Sequence, residues 1–170
     1  MKITMKTLLA VSVCTLLLAA CTSKNNQPID NSAAIEVYAT IDGVSQKLVN
    51  NQQIIIDKFT QDEYVGVQFL FEGKIHNPAN EALDYGVTAV RAYDLTKAGE
   101  EFCLASCIPS NGQQTQNFST VLAPESDQAF YAHLTPEGMQ YGDYQVTYTF
   151  HTSDNSQHLS VTVIYRYKAD

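Results

Sequence analysis

The sequence predicts an all-β fold, a sandwich of two antiparallel sheets with seven to nine strands in total. The chain of 170 residues contains 10 Tyr and 7 Phe besides many Val and Thr residues, and these residue types favour strands. Several segments alternate apolar and polar side chains with a period of two, as half-buried strands do. No long segment places apolar residues at helical spacing, so a mainly helical fold is excluded.

Five segments in the first half of the chain are predicted as strands because their side chains alternate or form short apolar runs. They are residues 35–41, 47–50, 53–56, 64–75 and 83–93. Asp42-Gly43 marks a turn after the first of them. We expect the short apolar run 53–56 to be covered on both faces. The segment 64–75 is the longest early strand, and its alternation places Val65, Val67, Phe69 and Phe71 on one face.

The second half of the chain contains four more predicted strands, residues 114–122, 128–134, 144–150 and 159–167. The last two flank the polar loop 152–157 and form the clearest hairpin in the sequence. Tyr148, Phe150 and Val161 alternate with polar residues there, and an aromatic–aliphatic face of this kind predicts core packing.

The longest connection, residues 94–112, is predicted to be irregular, and it carries Cys103 and Cys107. These cysteines are too close in sequence to bridge two sheets, and the chain has no Trp. Both facts argue against an antibody-type domain. We predict a more general immunoglobulin-like sandwich, in preference to a closed barrel.

The formal net charge is −8, and the acidic residues are scattered along the chain. This balance argues against binding to nucleic acid and against a polybasic attachment to anionic lipid. Scattered acidic residues indicate a solvated surface.

The N-terminal segment combines the basic residues Lys2 and Lys6 with an apolar run that ends at Leu18-Ala19-Ala20-Cys21. The run is about 13 residues long, whereas a membrane-spanning helix needs about 20. The stretch 18–21 resembles the lipobox of bacterial lipoproteins. In that family the cysteine thiol receives a diacylglycerol and the chain is cut before the cysteine. Plain secretion with cleavage after Ala20 is the alternative, although Leu18 suits that cleavage poorly.

The lipobox resemblance divides the chain into a signal peptide (1–20), a flexible tether (21–33) and one domain (34–170). It also implies a membrane anchor at Cys21, since two or more acyl chains hold a protein firmly on a bilayer. Thr22 stands at the position where an Asp would resemble the inner-membrane retention signal of other lipoproteins. The residues after it lack the acidic cluster that would resemble a surface-export signal. We therefore expect a periplasm-facing protein of the bacterial outer membrane; display at the cell surface is the alternative.

From Phe102 onward the sequence resembles an immunoglobulin-like module of Bacteroides-group lipoproteins and secreted proteins. The matching residues are Phe102, Cys103, Cys107, Leu122, Pro124, Phe130, Pro136, Gly138, Gly142, Tyr148, Phe150, Val161, Val163 and Tyr165, with residues 73–77 upstream. Leu104 and Ile108 stand where members often carry aromatic residues. Most members of the family have no assigned function, and the family implies no catalytic residue.

Cys103 and Cys107 are the cysteines left after Cys14 departs with the signal peptide and Cys21 takes the lipid. In an oxidising envelope we predict that they form a disulfide, which clasps one loop with a gain of about 2 kcal/mol. A clasped loop suits recognition because it loses little entropy on binding. The candidate binding residues of this loop are Glu101, Phe102, Leu104, Ile108 and Asn111.

Other chemistry has less support in the sequence. His151 and His158 flank the loop 152–157 and could hold Zn²⁺ together with Asp154 or Asp143, but single surface histidines are commoner. A thiol–disulfide exchange site at the cysteine pair would normally have two intervening residues at a helix start, and here three intervene. No nucleophile elbow or phosphate-binding glycine loop occurs. We expect no enzymatic activity and no cofactor.

These observations predict a non-catalytic, membrane-anchored envelope lipoprotein that binds another envelope protein or serves as a structural module. The loop with the cysteine pair is the candidate recognition surface. The alternatives are a lipoprotein that captures glycans or other ligands, and thiol–disulfide exchange. The glycan alternative needs exposed aromatic side chains in a groove.

Overall fold

The computed structural model describes residues 35–63, 66–136 and 138–169. These residues form twelve strands and no helix, which confirms the all-β prediction. The strands are β1 Glu36–Ile41, β2 Val44–Lys47, β3 Gln52–Ile56, β4 Thr60–Asp62, β5 Gly66–His76, β6 Leu83–Arg91, β7 Glu100–Cys103, β8 Cys107–Pro109, β9 Thr115–Leu122, β10 Asp127–Leu134, β11 Gly142–Thr152 and β12 His158–Tyr167. The predicted signal peptide, Cys21 and the predicted tether lie outside the described residues.

The strands form the two packed sheets that the sequence predicts. Sheet A has the order β2-β1-β5-β10-β7-β8, with β4 also paired to β5, and sheet B has the order β3-β12-β11-β6-β9. The strand count exceeds the predicted seven to nine, because β4, β7 and β8 are too short to show a clear alternation. Sheet B is not purely antiparallel, since β3 pairs with β12 in parallel.

The first hairpin follows the predicted turn. Asp42 and Gly43 have φ values of 50° and 77°, and a two-residue turn with two positive φ angles matches the right-handed twist of its strands. The return strand is Val44–Lys47 rather than 47–50. The prediction that 53–56 is covered on both faces is wrong, because Ile54 is buried whereas Ile55 is 51% exposed. Strand β3 lies at the edge of sheet B, where only one face meets the core.

The long strand β5 departs from the predicted alternation near its start. Phe69 and Phe71 are buried as predicted, but Val67, the second residue of the strand, is exposed and Gln68 is buried. The Oε1 atom of Gln68 lies 2.6 Å from Nδ1 of His133 on the adjacent strand β10. This hydrogen bond allows a polar side chain to be buried at that position.

The closing hairpin is the element that the sequence predicts best. Strands β11 and β12 pair continuously from Gly142↔Tyr167 to His151↔His158. The core side chains on this pair are fully buried: Val146, Tyr148, Phe150, Val161, Val163 and Tyr165. Each one stabilises the fold by roughly 1.5–3 kcal/mol relative to an exposed side chain.

Two residues of the segment 73–77 have specific structural roles. Gly73 lies between β1 and β10, and a Cβ atom there would come within 2.7 Å of the Phe130 ring and 2.9 Å of the Ala39 Cα atom. The buried Asn77 donates hydrogen bonds to the carbonyl oxygens of Glu81 and Ala123 at 2.8 and 3.0 Å. Asn77 thereby ties the turn after β5 to the corner after β9.

Candidate functional site

The segment that carries the cysteines is a β-hairpin, which corrects the prediction of an irregular connection over 94–112. Strands β7 and β8 pair with the register Glu101↔Pro109, Phe102↔Ile108 and Cys103↔Cys107. Strand β7 also pairs with β10, so the hairpin extends sheet A. The sequence obscures this hairpin because a glutamate, Glu100, occupies the core-facing position that an apolar residue normally takes.

The predicted disulfide is present and joins Cys103 to Cys107 with an S–S distance of 2.00 Å. The two residues are direct cross-strand neighbours, so the bond closes the tip of the hairpin. Cys103 is buried and Cys107 is exposed. The pair lies on strands, with no helix start beside it that would lower a thiol pKa.

Two of the five candidate binding residues are part of the core and cannot meet a partner in this structure. Phe102 is 0% and Leu104 is 8% exposed. The ring of Phe102 packs against Phe118 of sheet B at 4.7 Å and against Tyr148 at 5.4 Å. The alternation within β7 turns Phe102 inward, so it anchors the hairpin to the opposite sheet.

The other three candidate residues remain accessible. Ile108 is 40% exposed, Glu101 is half-buried, and Asn111 is exposed in the turn after β8. Glu101 and Asn111 line a depression of about 370 Å³ together with His133 and Thr135. The accessible surface therefore comprises β8 and the base of the hairpin.

A buried polar cluster that the sequence analysis did not identify holds the base of the hairpin. The Arg91 Nε atom donates to Glu100 Oε2, and the Tyr148 hydroxyl donates to Glu100 Oε1. The Tyr165 hydroxyl oxygen lies 3.1 Å from that of Tyr148. Both charged side chains are completely inaccessible to solvent. The sequence feature from which this cluster could have been predicted is Arg91, because it falls on the core face of its predicted strand and a buried charge there requires an acidic partner.

The guanidinium group of Arg91, on β6, also bonds to the neighbouring strand β9 and to the turn that precedes it. Its Nη1 atom donates to the Gln113 carbonyl at 3.1 Å, and its Nη2 atom donates to Gln116 Oε1 at 3.0 Å. Burial raises the pKa of Glu100 above its ordinary value, while the positive charge of Arg91 opposes this shift. The cluster therefore positions the hairpin through a desolvated ion pair.

The structure does not bring the candidate zinc ligands together as a group. His151 and His158 are cross-strand neighbours, but Asp143 pairs with Arg166 at 2.9 Å. Asp154 accepts hydrogen bonds from Thr152 Oγ1 at 2.6 Å and from a serine in the same turn. Among the described residues, the one potential metal-binding group of three or more is Glu101 with the two cysteines. Its sulfur atoms are joined in the disulfide and offer no thiolate.

Exposed aromatic side chains, which the glycan alternative needs, gather at one end of sheet B. Tyr141 is exposed and its ring lies 4.8 Å from that of Tyr167, which lies 5.7 Å from the exposed Phe59. Glycan capture stays a prediction. Within the described ranges we find no apolar helix of membrane-spanning length.

Comparison with known proteins identifies the fold. No protein-family profile and no curated protein sequence matches the chain. The N-terminal domain of PorA is 14% identical, with a TM-score of 0.57 over 78% of this chain and 97% of that domain. The fold is an immunoglobulin-like sandwich. Weaker likenesses include a family 123 glycoside hydrolase from Clostridium perfringens, 8% identical over 71% of this chain and 23% of that one, with a TM-score of 0.43. CfaE, the adhesive subunit of an enterotoxigenic Escherichia coli fimbria, is 8% identical over 72% and 47% of the two chains, with a TM-score of 0.40.

Proposed function

We propose that the protein is a non-catalytic envelope lipoprotein, anchored through Cys21, that binds another envelope protein with its β7–β8 hairpin. The observation that supports this proposal is the fixation of the hairpin at three levels. The disulfide closes the tip, Phe102 anchors the middle to sheet B, and the Arg91–Glu100 pair holds the base. A connection that only joins two strands needs none of these.

Rigidity of this kind favours binding. A flexible loop loses about 0.5–1.5 kcal/mol of entropy for each side chain that it immobilises on a partner. A hairpin that is already fixed avoids much of this loss. Strand β8 presents three consecutive exposed residues, Cys107–Pro109, and its side chain Ile108 offers an apolar contact at the centre.

The position of the hairpin suggests where its partner lies. Glu36 pairs with His76, and His76 pairs with Asp127. The tip of the hairpin lies at this same end, since the Gln128 side chain donates to the Leu104 carbonyl at 3.0 Å. The described chain begins here, at Ile35. A lipid on Cys21 would therefore hold the tip close to the membrane, where a membrane-associated partner could reach it.

The lipid anchor can be tested by the intact mass of the protein extracted in detergent. We expect a chain that begins at Cys21 and carries the mass of two or three acyl groups. A Cys21→Ala variant should move to the soluble fraction. An unmodified sulfur at residue 21 would remove the membrane part of the proposal.

Protein binding can be tested by placing a photo-crosslinking amino acid at residue 108 in intact cells. The matched control is residue 44, because Val44 is also an exposed aliphatic side chain on an edge strand of sheet A. We expect the probe at residue 108 to form a discrete protein adduct that the probe at residue 44 does not form. In a second experiment with the probe at residue 109, the Ile108→Asp substitution should weaken the adduct. Identical adducts from both positions would contradict the proposal.

A further inference from the structure

The outermost strand of sheet B is open along one side. Strand β9, Thr115–Leu122, has eight residues and, within the described part of the chain, pairs only with β6. The Arg91 backbone N–H donates to the Gln114 carbonyl at 2.9 Å, which makes this cross-strand pair a hydrogen-bonded one. Hydrogen-bonded and non-bonded pairs alternate along an antiparallel ladder. The backbone groups of Thr115, Asn117, Ser119 and Val121 therefore point away from the sheet.

These outward N–H and C=O groups have no backbone partner among the described residues. Natural sheets usually protect such an edge with charged side chains, a proline or a very short strand. The two edge strands of sheet A follow this rule: β2 has four residues and includes Lys47, and β8 has three and includes Pro109. Strand β9 has no charged residue and no proline, so it lacks the usual protection.

A groove of about 830 Å³ lies beside this edge on the outer face of sheet B. Gly86, which has no side chain, forms part of its floor, and His151, His158 and Asn117 line it. The Thr88 hydroxyl donates to Asn117 Oδ1 at 2.8 Å, which directs that amide toward the neighbouring strand. The groove thus combines polar side chains with Val121, which is 61% exposed.

We propose that β9 binds an extended segment of a partner protein as an additional strand, with alternate side chains of that segment lying in the groove. The spacing of the free backbone groups specifies the ligand class, because only another extended polypeptide carries donors and acceptors at the same repeat. This site goes beyond the β7–β8 hairpin, since it uses a strand of the other sheet.

Charge indicates the composition of the partner segment. Strand β9 itself is uncharged, Asp84 lines the groove beside it, and the whole chain has a formal net charge of −8. A segment with hydroxyl or amide side chains and a basic residue complements this surface. A second copy of the same chain brings the same negative charge, and like charges oppose such a pairing.

The test uses the whole chain in a non-ionic detergent, biotinylated and panned against a phage library of random twelve-residue peptides. The selected peptides are then synthesised, their affinities are measured, and amide hydrogen exchange is followed by mass spectrometry. We expect bound peptide to slow the exchange of the fragment that contains residues 115–121.

The decisive variant is Ser119→Pro, because it removes an outward N–H while leaving the ladder to β6 intact. Loss of strand hydrogen bonds and of a continuous edge should weaken binding by about tenfold or more. Val121→Lys places a charge on the edge and should also weaken peptide binding. This second variant keeps the test valid if the proline variant does not fold. The control is Gln145→Lys, which puts the same charge on the same outer face of the interior strand β11; it should change affinity by less than about twofold.

Three results would overturn the proposal. The library could yield no binder, or its binders could tolerate both edge variants. Alternatively, sedimentation equilibrium could show a dimer that Ser119→Pro abolishes, with residues 115–121 already protected in the absence of peptide. That last result would assign the edge to a second copy of the chain.

Discussion

Removing one partner of the Arg91–Glu100 pair should destabilise the fold far more than removing both. Both side chains are fully buried, so a single substitution leaves the other charge without its partner in a desolvated site. Breaking such a pair costs about 3–5 kcal/mol, whereas replacing both groups with apolar residues is often close to neutral. For a domain of this size, 3 kcal/mol corresponds to a decrease in Tm of roughly 6–12 °C.

We expect Glu100→Gln and Arg91→Met each to lose about 3 kcal/mol or more, and Arg91→Met combined with Glu100→Leu to lose about 2 kcal/mol or less. The assay is urea unfolding at pH 7, monitored by far-UV circular dichroism because the chain has no Trp. The reasoning fails if the double variant loses as much as the two single variants together. It fails equally if either single variant unfolds at the same urea concentration as the parent.

The pH dependence of the same variants gives an independent check. Burial raises the pKa of Glu100 above its ordinary 4.5, so the folded state holds this proton more tightly than the unfolded state. This tighter binding of the Glu100 proton stabilises the folded state fully at pH values below the pKa that Glu100 has in the unfolded chain. The stabilisation is lost as the pH rises through the pKa of Glu100 in the folded state. The stability difference between the parent and Glu100→Gln should therefore decrease as the pH rises above 4.5.

Three further outcomes can be measured on the same domain. Phe102→Ala should lose about 3–5 kcal/mol in urea unfolding because it leaves a cavity between the sheets, while Ile108→Ala on the exposed side should lose less than about 1 kcal/mol. Similar losses for the two would contradict the assigned burial. Reducing the disulfide should cost about 2 kcal/mol and should accelerate amide exchange in the hairpin tip without changing the far-UV spectrum. The Asp154 carboxyl should titrate with a pKa of about 2, since hydrogen bonds from Thr152 and its turn neighbours lower it. In a carbon-detected NMR titration Thr152→Val should raise this value toward 3.8, and an unchanged midpoint would refute the assignment.

The sequence predicted the elements in which alternation and burial agree. Strands β11 and β12 were predictable because, over residues 144–150 and 159–167, each core position carries an apolar or aromatic residue and each outward position a polar one, apart from Ile164. The disulfide was predictable because the cysteines are close enough to close a small loop. The all-β fold followed from these same local patterns.

The hairpin β7–β8 was not predictable by the same rule. Its base contains Glu100, whose burial depends on Arg91 and Tyr148, and both partners lie on strands of the opposite sheet, a placement that local patterns do not reveal. Similarly, Ile55 appeared to belong to a covered strand, but its exposure depends on the position of β3 at the edge of sheet B. Local patterns cannot specify which strands lie at an edge. The candidate recognition residues Phe102 and Leu104 were misplaced for a different reason, because the segment 94–112 was predicted to be irregular and the inward alternation of β7 was therefore missed.

The parallel pairing of β3 with β12 has a consequence for the order of folding. Among residues 35–63, 66–136 and 138–169, the only strand partner of Gln52–Ile56 is the segment 161–165, more than a hundred positions later in the chain. Such distant pairing slows folding because a large loop must close first. Sheet B can therefore be completed only after the ribosome has released almost the entire polypeptide, and a chain truncated before β12 would leave both β3 and one side of β11 without a neighbour.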